Sequence, residues 1–463
     1  MDMSSNEVPP RNRKRHSIAM VSDFFYPNMG GVELHLYQLS SCLIKRGNKV
    51  IMITHSYGNR KGIRYLTNGM KVYYIPQMQM YNQSSYPTIA LSWFLPLLRK
   101  ILIREKIEIV HCHQAFSVMA LEGLLHARTM GYKTVFTDHS LFGFADISSI
   151  LTNKILKFSL SDVSHVICVS NTSKENTVLR GSLCKADVSV IPNAIDILRF
   201  TPDPTKRDSS KITIVVLSRL VYRKGIDLLL EVIPEVCKHY PNVHWIIGGD
   251  GPKRIALEEI REKHQLHDRV EILGSVKHSD VRNVLVRGDI FVNCSLTEAF
   301  CIAIVEAASC GLFVVSTRVG GVPEVLPDDL ILLSDPTTED LTEKVLTAIP
   351  RIKDFDPFKA HERVKKCYSW FDVAERTERV YDHICKEEPL PLIERFRRFY
   401  GCGLFAGKIF CVVVAFGYLI WQFYEWLSPR DTIDPARDWP FVEYERRKKT
   451  GQIDDTNKIE FPA

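Results

Sequence analysis

Short apolar runs alternate with segments of helical periodicity along most of the chain, and this alternation restricts the fold more than any other feature. Several runs are apolar at successive positions, which is typical of strands buried on both faces of a parallel sheet. Between the first two runs, Val32–Arg46 places its leucines on one helical stripe and ends at Gly47. The strands predicted in this first part are Ser17–Val21, Lys49–Thr54, Lys71–Ile75, Ile107–Val110, Thr134–Thr137, His165–Val169 and Val188–Ile191.

The pattern starts again after residues 199–211, a segment rich in proline, aspartate and serine that is predicted to be a linker. The strands predicted there are Ile212–Leu217, Val243–Ile247, Val270–Leu273, Asp289–Asn293, Phe313–Ser316 and Leu330–Leu333, with helices at Lys224–His239, Lys253–His264 and Ile302–Ser309. This order predicts two doubly wound α/β domains, over residues 16–198 and 212–386. If the two domains face each other, the loops after both sets of strands surround one cleft.

An apolar segment, residues 404–427, follows the second domain. Its uncharged core, Ile409–Tyr424, has 16 residues, slightly fewer than the roughly 20 that span hydrocarbon. Because polar positions do not alternate along the segment, we predict a transmembrane helix in preference to a core or interfacial helix.

Basic residues are denser before this segment than behind it. Arg395, Arg397, Arg398 and Lys408 lie on its N-terminal side, and Arg430 and Arg437 follow it. The positive-inside rule therefore predicts cytosolic domains and a lumenal tail over residues 428–463.

Residues 86–104 combine Trp93 and Phe94 with several leucines and then Arg99 and Lys100. This pattern fits either a helix inserted into an anionic membrane surface or a core helix of the first domain. A proline within the segment predicts a kinked or two-part element.

Charge and cysteine usage exclude some classes of function. The net charge of +6 does not call for nucleic acid, and the basic residues 1–15 are predicted to be a disordered tail rather than a lipid-binding one. No signal-peptide apolar region follows Met1, and the twelve cysteines include no Cys-x-x-Cys pair, so a reducing cytosolic setting is expected. A metal site at His111-Cys112-His113 is not expected, because alternate residues of a strand point to opposite faces.

Glycines and cations follow strands at three places. Gly30 and Gly31 open the first helix, where unpaired N–H groups suit a phosphate, although the GxGxxG dinucleotide pattern is missing and a plain tight turn is the alternative. In the second domain Arg219 and Lys224 come directly after a strand, where cations offset charge that grows on a leaving pyrophosphate. The loop around Gly249 exposes backbone groups that suit a nucleobase.

Two glutamates form the most specific motif. Glu298 follows a predicted strand, and Glu306 lies eight positions later inside the next helix. One carboxylate suits sugar hydroxyls and the other suits the two ribose hydroxyls, because each carboxylate accepts two strong hydrogen bonds. The alternative is a helix-start charge and a solvated glutamate, which the apolar neighbours of Glu306 disfavour.

Together with SRLVYRKG, GGDGP and STRVGGVPE, these glutamates resemble the donor domain of family 4 retaining glycosyltransferases, which have the GT-B fold. Within that family, VSDFFYPNMGGVE, YGNRKGIRYLTNGMKVYYIP, FTDHSLFGFAD and LTEAFCIAIVEAASCGL resemble the enzymes that begin glycosylphosphatidylinositol (GPI) anchor synthesis. The resemblance covers about Ile18 to Tyr381 and includes the C-terminal helix. It implies two Rossmann-like domains facing a cleft, plus one transmembrane helix in the endoplasmic reticulum membrane.

The resemblance also implies the reaction. UDP-N-acetylglucosamine gives its sugar to phosphatidylinositol with retention, without a cofactor or a required metal, in a complex with small membrane proteins. Gly30 and Gly31 match the loop beside the diphosphate, and Gly249 is a candidate for nucleotide binding in the GGDGP loop. Cys301 departs from the family, because many relatives carry glycine there.

The remaining catalytic residues are assigned by the same resemblance. Arg219 and Lys224 match the phosphate-binding pair, Glu298 matches the glutamate that faces the donor sugar, and Glu306 matches the one on the ribose. His139 matches a cleft histidine near the transferred sugar.

Retention ordinarily requires a carboxylate nucleophile, and the sequence identifies none, since Asp138 points away from its neighbour His139 in a strand. A front-face mechanism is therefore preferred. Another lipid acceptor, a UDP-sugar epimerase and a non-catalytic scaffold are the alternative functions.

Overall fold

The computed structural model describes residues 14–28, 30–81, 83–88, 93–141 and 147–438. Most of the predicted basic tail (residues 1–13), part of the segment 86–104 (residues 89–92) and residues 439–463 of the predicted lumenal tail lie outside the described residues. The chain divides into two compact units. The first unit consists of Met1–Pro27, Leu36–Val135 and Cys385–Ala463, and the second consists of Asn28–His35 and Phe136–Ile384.

The N-terminal half contains one sheet of eight strands among the described residues, in the order β10-β9-β8-β7-β1-β2-β4-β3. The registers given by backbone pairing are parallel, except that β3 runs antiparallel to β4. The strands of this sheet are β1 (Ser17–Val21), β2 (Lys49–His55), β3 (Gly62–Tyr65), β4 (Lys71–Ile75), β7 (Ile109–His113), β8 (Lys133–Asp138), β9 (His165–Cys168) and β10 (Val188–Val190). Strands β5 (Gln79–Tyr81) and β6 (Ser84–Ser85) pair with each other in a separate two-stranded sheet. The helices are α1 (Gly31–Lys45), α2 (Phe94–Arg104), α3 (Val118–Thr129), α4 (Ile147–Leu160) and α5 (Asn171–Gly181).

The second sheet is parallel throughout, with six strands in the order β13-β12-β11-β14-β15-β16. Its core consists of apolar residues from these strands and from the helices packed on them. The strands are β11 (Ile212–Leu217), β12 (Val243–Gly248), β13 (Val270–Gly274), β14 (Ile290–Asn293), β15 (Phe313–Thr317) and β16 (Ile331–Ser334). The helices are α6 (Ile226–His239), α7 (Arg254–Lys263), α8 (Val281–Leu285), α9 (Ile302–Ser309), α10 (Thr338–Arg351), α11 (Pro357–Cys367) and α12 (Trp370–Lys386). The predicted doubly wound α/β architecture is confirmed in both halves.

Most predicted strands agree with the structure to within one or two residues, because long apolar runs identify buried parallel strands. The predicted strand Ile107–Val110 was placed too early, since β7 extends through His113. His111 and His113 are both fully buried, and the centroids of their rings lie 4.1 Å apart. The end of this strand was missed because these polar residues do not continue the apolar run.

Within the segment 86–104, residues Phe94–Arg104 form α2, whose apolar residues Phe94, Leu95 and Leu98 are buried. The described part of this segment therefore supports the core interpretation. The predicted interruption at Pro96 was wrong, because Pro96 lies in the first turn of α2, where a missing N–H breaks no bond within the helix.

Two helices end the described chain, α13 (Leu392–Tyr400) and α14 (Ala406–Leu427). By length and composition, α14 qualifies as a membrane-spanning helix, with a mean hydropathy of 1.6. It is the one helix that qualifies between residues 14 and 438, leaving out the gaps given above.

Candidate active site

All the site residues predicted from the sequence belong to the second unit: Gly30, Gly31, His139, Arg219, Lys224, Gly249, Glu298 and Glu306. Several of them follow strands of the six-stranded sheet, where the carboxyl ends of parallel strands lie at one edge. The residues therefore assemble inside one compact unit, although they are up to 276 positions apart in the chain.

Lys224 and Glu298 form an ion pair at this edge. Ser295 supports the carboxylate by donating a hydrogen bond of 2.9 Å from its hydroxyl to Glu298 Oε1. The side chains of Lys224 and Glu298 are 22% and 15% exposed, so the pair keeps access to solvent. Burial acts to lower the pKa of Lys224, but the Glu298 carboxylate outweighs it and the pKa is raised. Lys224 is therefore a cation at neutral pH.

The backbone holds this pair in place. Gly225 has a φ of +65°, and a Cβ there would lie 1.7 Å from the carbonyl oxygen of Cys294. The Cys294 thiol donates to the carbonyl oxygen of Lys224, with an S···O distance of 3.0 Å. Only glycine permits this approach between the Lys224 loop and the strand end that precedes Glu298.

The Gly320-Gly321 turn packs against the same loop. Gly321 N donates to the carbonyl oxygen of Glu298 over 3.0 Å, and a Cβ on Gly320 would lie 2.0 Å from that oxygen. The turn therefore fixes the backbone from which the Glu298 carboxylate extends.

Gly249 also allows a close approach between two loops, here next to the residue that precedes Arg219. A Cβ on Gly249 would lie 1.8 Å from the carbonyl oxygen of Ser218, and Gly249 N donates to the carbonyl oxygen of Gly274 over 2.7 Å. The GGDGP loop thus packs directly on the residue that precedes Arg219, whose own side chain is exposed. This placement suits a cation that meets a ligand.

Glu306 has a partner that sequence reasoning missed. His278 Nε2 lies 3.2 Å from Glu306 Oε1, and Arg199 Nη1 lies 3.1 Å from His278 Nδ1. Since arginine only donates, Nδ1 accepts, and Nε2 carries the proton that it donates to Glu306. His278 orients the carboxylate, and no motif in the sequence indicates this, because the two residues are 28 positions apart.

Gly30 and Gly31 stand at the start of α1, where Leu34 N donates to the carbonyl oxygen of Gly30 over 3.0 Å. Burial raises the pKa of the nearby Glu33, and the Arg219 guanidinium acts to lower it. The first turn of α1 therefore lies within electrostatic range of Arg219.

His139 stacks edge-on against His35, with ring centroids 4.6 Å apart. Burial, followed by the charge of His139, lowers the pKa of His35 well below its ordinary value. His35 is thus a neutral, buried support for the partly buried His139.

Asp138 is fully buried and already bound by protein groups. It accepts hydrogen bonds from the Ser140 backbone N–H over 3.0 Å and from the Thr177 hydroxyl over 2.9 Å, and it lies 3.4 Å from Arg180 Nη1. A carboxylate held in this way braces the loop that carries His139.

Glu324, the last residue of the VGGVPE motif, caps helix α5. Its carboxylate accepts from the backbone N–H groups of Asn171, over 2.6 Å, and of Thr172, over 2.8 Å. Burial acts to raise the pKa of Glu324, but the bonds from Thr172 and Asn171 outweigh it and lower the pKa. Glu324 is therefore a structural anion that stabilises a helix N-terminus.

Cys301, the departure from the family pattern, stands directly before α9 with a φ of 68° and a ψ of 79°. This left-handed backbone costs a residue with a side chain about 1–2 kcal/mol and costs glycine nothing. Burial raises the pKa of the Cys301 thiol to about 12, so the thiol is neutral.

Two families match the sequence. Residues 55–146 match the family described as PIGA (GPI anchor biosynthesis), and residues 199–351 match glycosyl transferases group 1. The chain is 60% identical over 429 residues to a phosphatidylinositol N-acetylglucosaminyltransferase subunit of Homo sapiens, a match that covers 92% of this chain and 88% of that protein. It is 58% identical over 430 residues to the subunit of the same name in Arabidopsis thaliana, a match that covers 93% of this chain and 95% of that protein.

Solved structures share the fold at lower identity. Sucrose-phosphate synthase from Thermosynechococcus elongatus matches with a TM-score of 0.66 and 19% identity, covering 80% of this chain and 99% of that one. Anabaena Alr3699/HepE in complex with UDP matches with a TM-score of 0.64 and 17% identity, covering 79% and 100%. The predicted GT-B fold is confirmed.

Proposed function

The chain belongs to the PIGA family of phosphatidylinositol N-acetylglucosaminyltransferase subunits, and it is a glycosyltransferase of the first step of GPI anchor synthesis; we propose that it transfers N-acetylglucosamine from UDP-N-acetylglucosamine to phosphatidylinositol with retention. The observation that carries the donor assignment is the partly exposed Lys224–Glu298 pair beside the exposed Arg219. Two cations and a carboxylate match the two halves of a nucleotide sugar, its diphosphate and its hydroxyl-bearing ring.

Each residue of this set has one role in the proposed reaction. Arg219 and Lys224 bind the diphosphate. The Glu298 carboxylate gives up part of its ion pair with Lys224 and accepts hydrogen bonds from the sugar hydroxyls. Glu306, oriented by His278, accepts from both ribose hydroxyls. The cations act most strongly when the diphosphate leaves, because charge grows on it at that point.

The proposed mechanism is front-face displacement. The bond between the anomeric carbon and the β-phosphate oxygen breaks, the inositol 6-hydroxyl oxygen bonds to the same face of that carbon, and its proton passes to the leaving phosphate oxygen. Asp138 is bound by Ser140, Thr177 and Arg180, which supports a mechanism without it as nucleophile. His139 orients the sugar. A covalent glycosyl-enzyme trapped with a slow donor analogue would contradict this mechanism.

The setting of the enzyme is part of the proposal. The relatives are named as subunits, so we propose a hetero-oligomeric complex with small membrane proteins. We place this complex in the endoplasmic reticulum membrane with both α/β units in the cytosol, where nucleotide sugars are made. We propose that α14, which is long and apolar enough to cross a membrane, spans it once.

Radiolabelled UDP-N-acetylglucosamine added to microsomes that carry the complex tests the proposed reaction. Label in the lipid phase, lost after treatment with a phosphatidylinositol-specific phospholipase, is the expected result. Label in a phospholipase-resistant lipid indicates another acceptor, altered free sugar nucleotide indicates an epimerase, and no conversion indicates a scaffold. We also propose that no metal is needed, so EDTA is expected to change the rate less than twofold.

A further inference from the structure

The motif YGNRKGIRY, residues 57–65, contains three cations to which the proposed donor site gives no role. The motif follows β2, and its last four residues form β3. Because β2 runs parallel to β1 and β7 in the same sheet, the turn after β2 lies at the carboxyl edge, where open α/β sheets bind their ligands. The proposed donor residues all belong to the second unit, which leaves this edge of the first unit for the acceptor.

The turn at the start of the motif is tight and has a fixed position. Arg60 N donates to the carbonyl oxygen of Tyr57 over 2.8 Å, and Tyr57 N donates to the carbonyl oxygen of Arg60 over 3.2 Å. Gly58 lies between them with a φ of +53°, a conformation that glycine adopts without strain. The Tyr57 hydroxyl donates to the carbonyl oxygen of Asp23, the second residue after β1. The turn is therefore attached to the neighbouring strand end.

A buried tyrosine holds the Arg60 side chain. Arg60 Nη1 lies 3.5 Å from the hydroxyl oxygen of Tyr74, and the guanidinium carbon lies 5.7 Å from the centroid of the Tyr74 ring. The Tyr74 hydroxyl donates in turn to the carbonyl oxygen of Tyr26 over 3.0 Å. Arg60 itself is exposed, so its guanidinium is positioned by the ring and keeps further N–H groups for a ligand.

Arg64 lies on the same face of the sheet as Tyr74. It stands opposite Val72 in the pairing of β3 with β4, and alternate residues of a strand point to one face. Burial raises the pKa of Tyr74, while the hydrogen bond and charge of Arg60 and the charge of Arg64 act to lower it. Both guanidinium groups therefore lie within electrostatic range of one phenol.

The protein leaves this positive charge unpaired. Arg60, Lys61 and Arg64 are exposed, and none of them forms an ion pair with a carboxylate in the ranges that the structure describes. At the opposite edge of the same sheet, by contrast, Lys71 Nζ lies 2.6 Å from Glu105 Oε1. Unpaired cations at a ligand-binding edge attract an anion.

We propose that Arg60 and Arg64 bind the phosphodiester of the phosphatidylinositol acceptor, with Lys61 adding to the local positive charge. This role rests on the proposed function, from which the acceptor is taken, and it names the residues that recognise the acidic group of the lipid. The two free oxygens of a phosphodiester match the paired N–H groups of a guanidinium. Because the phosphate is bonded to the inositol ring, holding it also restricts the position of the ring and of its 6-hydroxyl.

Kinetics with a defined acceptor test this role. The purified complex is assayed in neutral detergent micelles at saturating UDP-N-acetylglucosamine, with a varied small fraction of phosphatidylinositol. The double variant Arg60→Gln with Arg64→Gln is expected to raise the apparent KM for the lipid about tenfold, because charge-assisted hydrogen bonds are lost, while UDP affinity stays within about twofold. An unchanged KM would overturn the proposal. No transfer by the wild type would overturn the proposed function and this role together.

The matched control for the double variant is Arg104→Gln with Lys106→Gln. Both cations are exposed and lie between the end of α2 and the start of β7, at the opposite edge of the same sheet. This control is expected to keep the KM of the wild type. An equal rise in KM would mean that any loss of positive charge weakens the reaction, and it would overturn the assignment to Arg60 and Arg64.

A change in the acceptor tests the same contact without depending on the folding of a variant. In a neutral acceptor the phosphodiester is replaced by its methyl phosphotriester, and the inositol ring and the acyl chains are unchanged. The wild type is expected to show a KM about tenfold higher for this lipid, and the double variant should use both lipids alike. Equal use of both lipids by the wild type, or equal discrimination by the wild type and the variant, would overturn the proposal.

Added phosphatidylserine distinguishes the acceptor phosphate from a general attraction to acidic membranes. It is mixed into the micelles at a fixed fraction of phosphatidylinositol. We expect the full defect of the double variant in neutral micelles, because the contact is made to the acceptor itself. If the variant matched the wild type in neutral micelles and fell behind only as phosphatidylserine was added, the cations would bind the membrane surface, and the proposal would be wrong.

Discussion

Two cation–carboxylate pairs, one in each unit, use the same chemistry for different ends. Lys224 and Glu298 are 74 positions apart, partly exposed, and surrounded by glycines that keep the backbone close. Arg99 and Glu425 are 326 positions apart, and Arg99 is nearly fully buried and also binds Ser428. The Lys224–Glu298 pair retains donors and acceptors that a ligand can reach. The Arg99–Glu425 pair forms its hydrogen bonds with other groups of the protein. What surrounds a pair, rather than the pair itself, indicates whether it serves binding or architecture.

The largest expected effect is that of Lys224→Met, which removes a positive charge that faces the ligand. Turnover is expected to fall roughly 100-fold or more, because growing charge on the diphosphate loses its nearest cation. The control is Arg223→Met, at an exposed neighbouring position. Initial rates of lipid labelling in purified complex measure the effect, and a near-normal rate with intact folding would remove Lys224 from the site.

The corresponding change in the first unit is Arg99→Met. The change removes the charged partner of Glu425 and the donor to the carbonyl oxygen of Ser428. The free energy of unfolding should therefore fall by about 2 kcal/mol, while the donor site stays unchanged. Lys100→Met, at the exposed adjacent position, is the control. Thermal unfolding in detergent measures stability, and UDP affinity is the second readout. If UDP affinity fell and stability did not, the assigned roles of the two pairs would be wrong.

Glu306→Gln tests whether the proposed donor site extends beyond the Lys224–Glu298 pair. Loss of a charged acceptor for ribose should weaken UDP binding about tenfold, equivalent to about 1.4 kcal/mol, with a smaller effect on the rate at saturating donor. His278→Gln should weaken binding less, since it only disorients the carboxylate. Glu259→Gln, exposed on α7, is the matched control, and calorimetric titration with UDP measures all three. Equal affinity in wild type and Glu306→Gln would refute the ribose assignment.

The smallest expected effect concerns backbone strain beside Glu298. Cys301 has a left-handed conformation that glycine adopts freely. Cys301→Gly should therefore be about 1 kcal/mol more stable than Cys301→Ala, since both lose the thiol but only alanine keeps the strain. Chemical denaturation of the two variants measures the difference. The opposite order would mean that the site carries no strain at this residue.

Local patterns predicted much of this molecule and failed at contacts between distant residues. Apolar runs such as Ile212–Leu217 identify strands, and Glu298 with Glu306 carries its own spacing. The contact between Glu306 and His278 has no such signal, because a histidine in a polar loop looks the same with or without a partner. The contacts of α14 with α2 and α3 have no such signal either, because hydropathy does not indicate which helices an apolar helix packs against.

The division of the chain into interleaved units has a consequence for biosynthesis. The polypeptide passes between the units after Pro27, His35, Val135 and Ile384. A ribosome makes α3 long before α14, so the part of α3 that contacts α14 stays exposed while Phe136–Ile384 is made. Contacts over such separations form late, and exposed apolar surface in the interval attracts chaperones or aggregates. Synthesis of α14, rather than of the N-terminal sheet, is therefore the step at which the first unit matures.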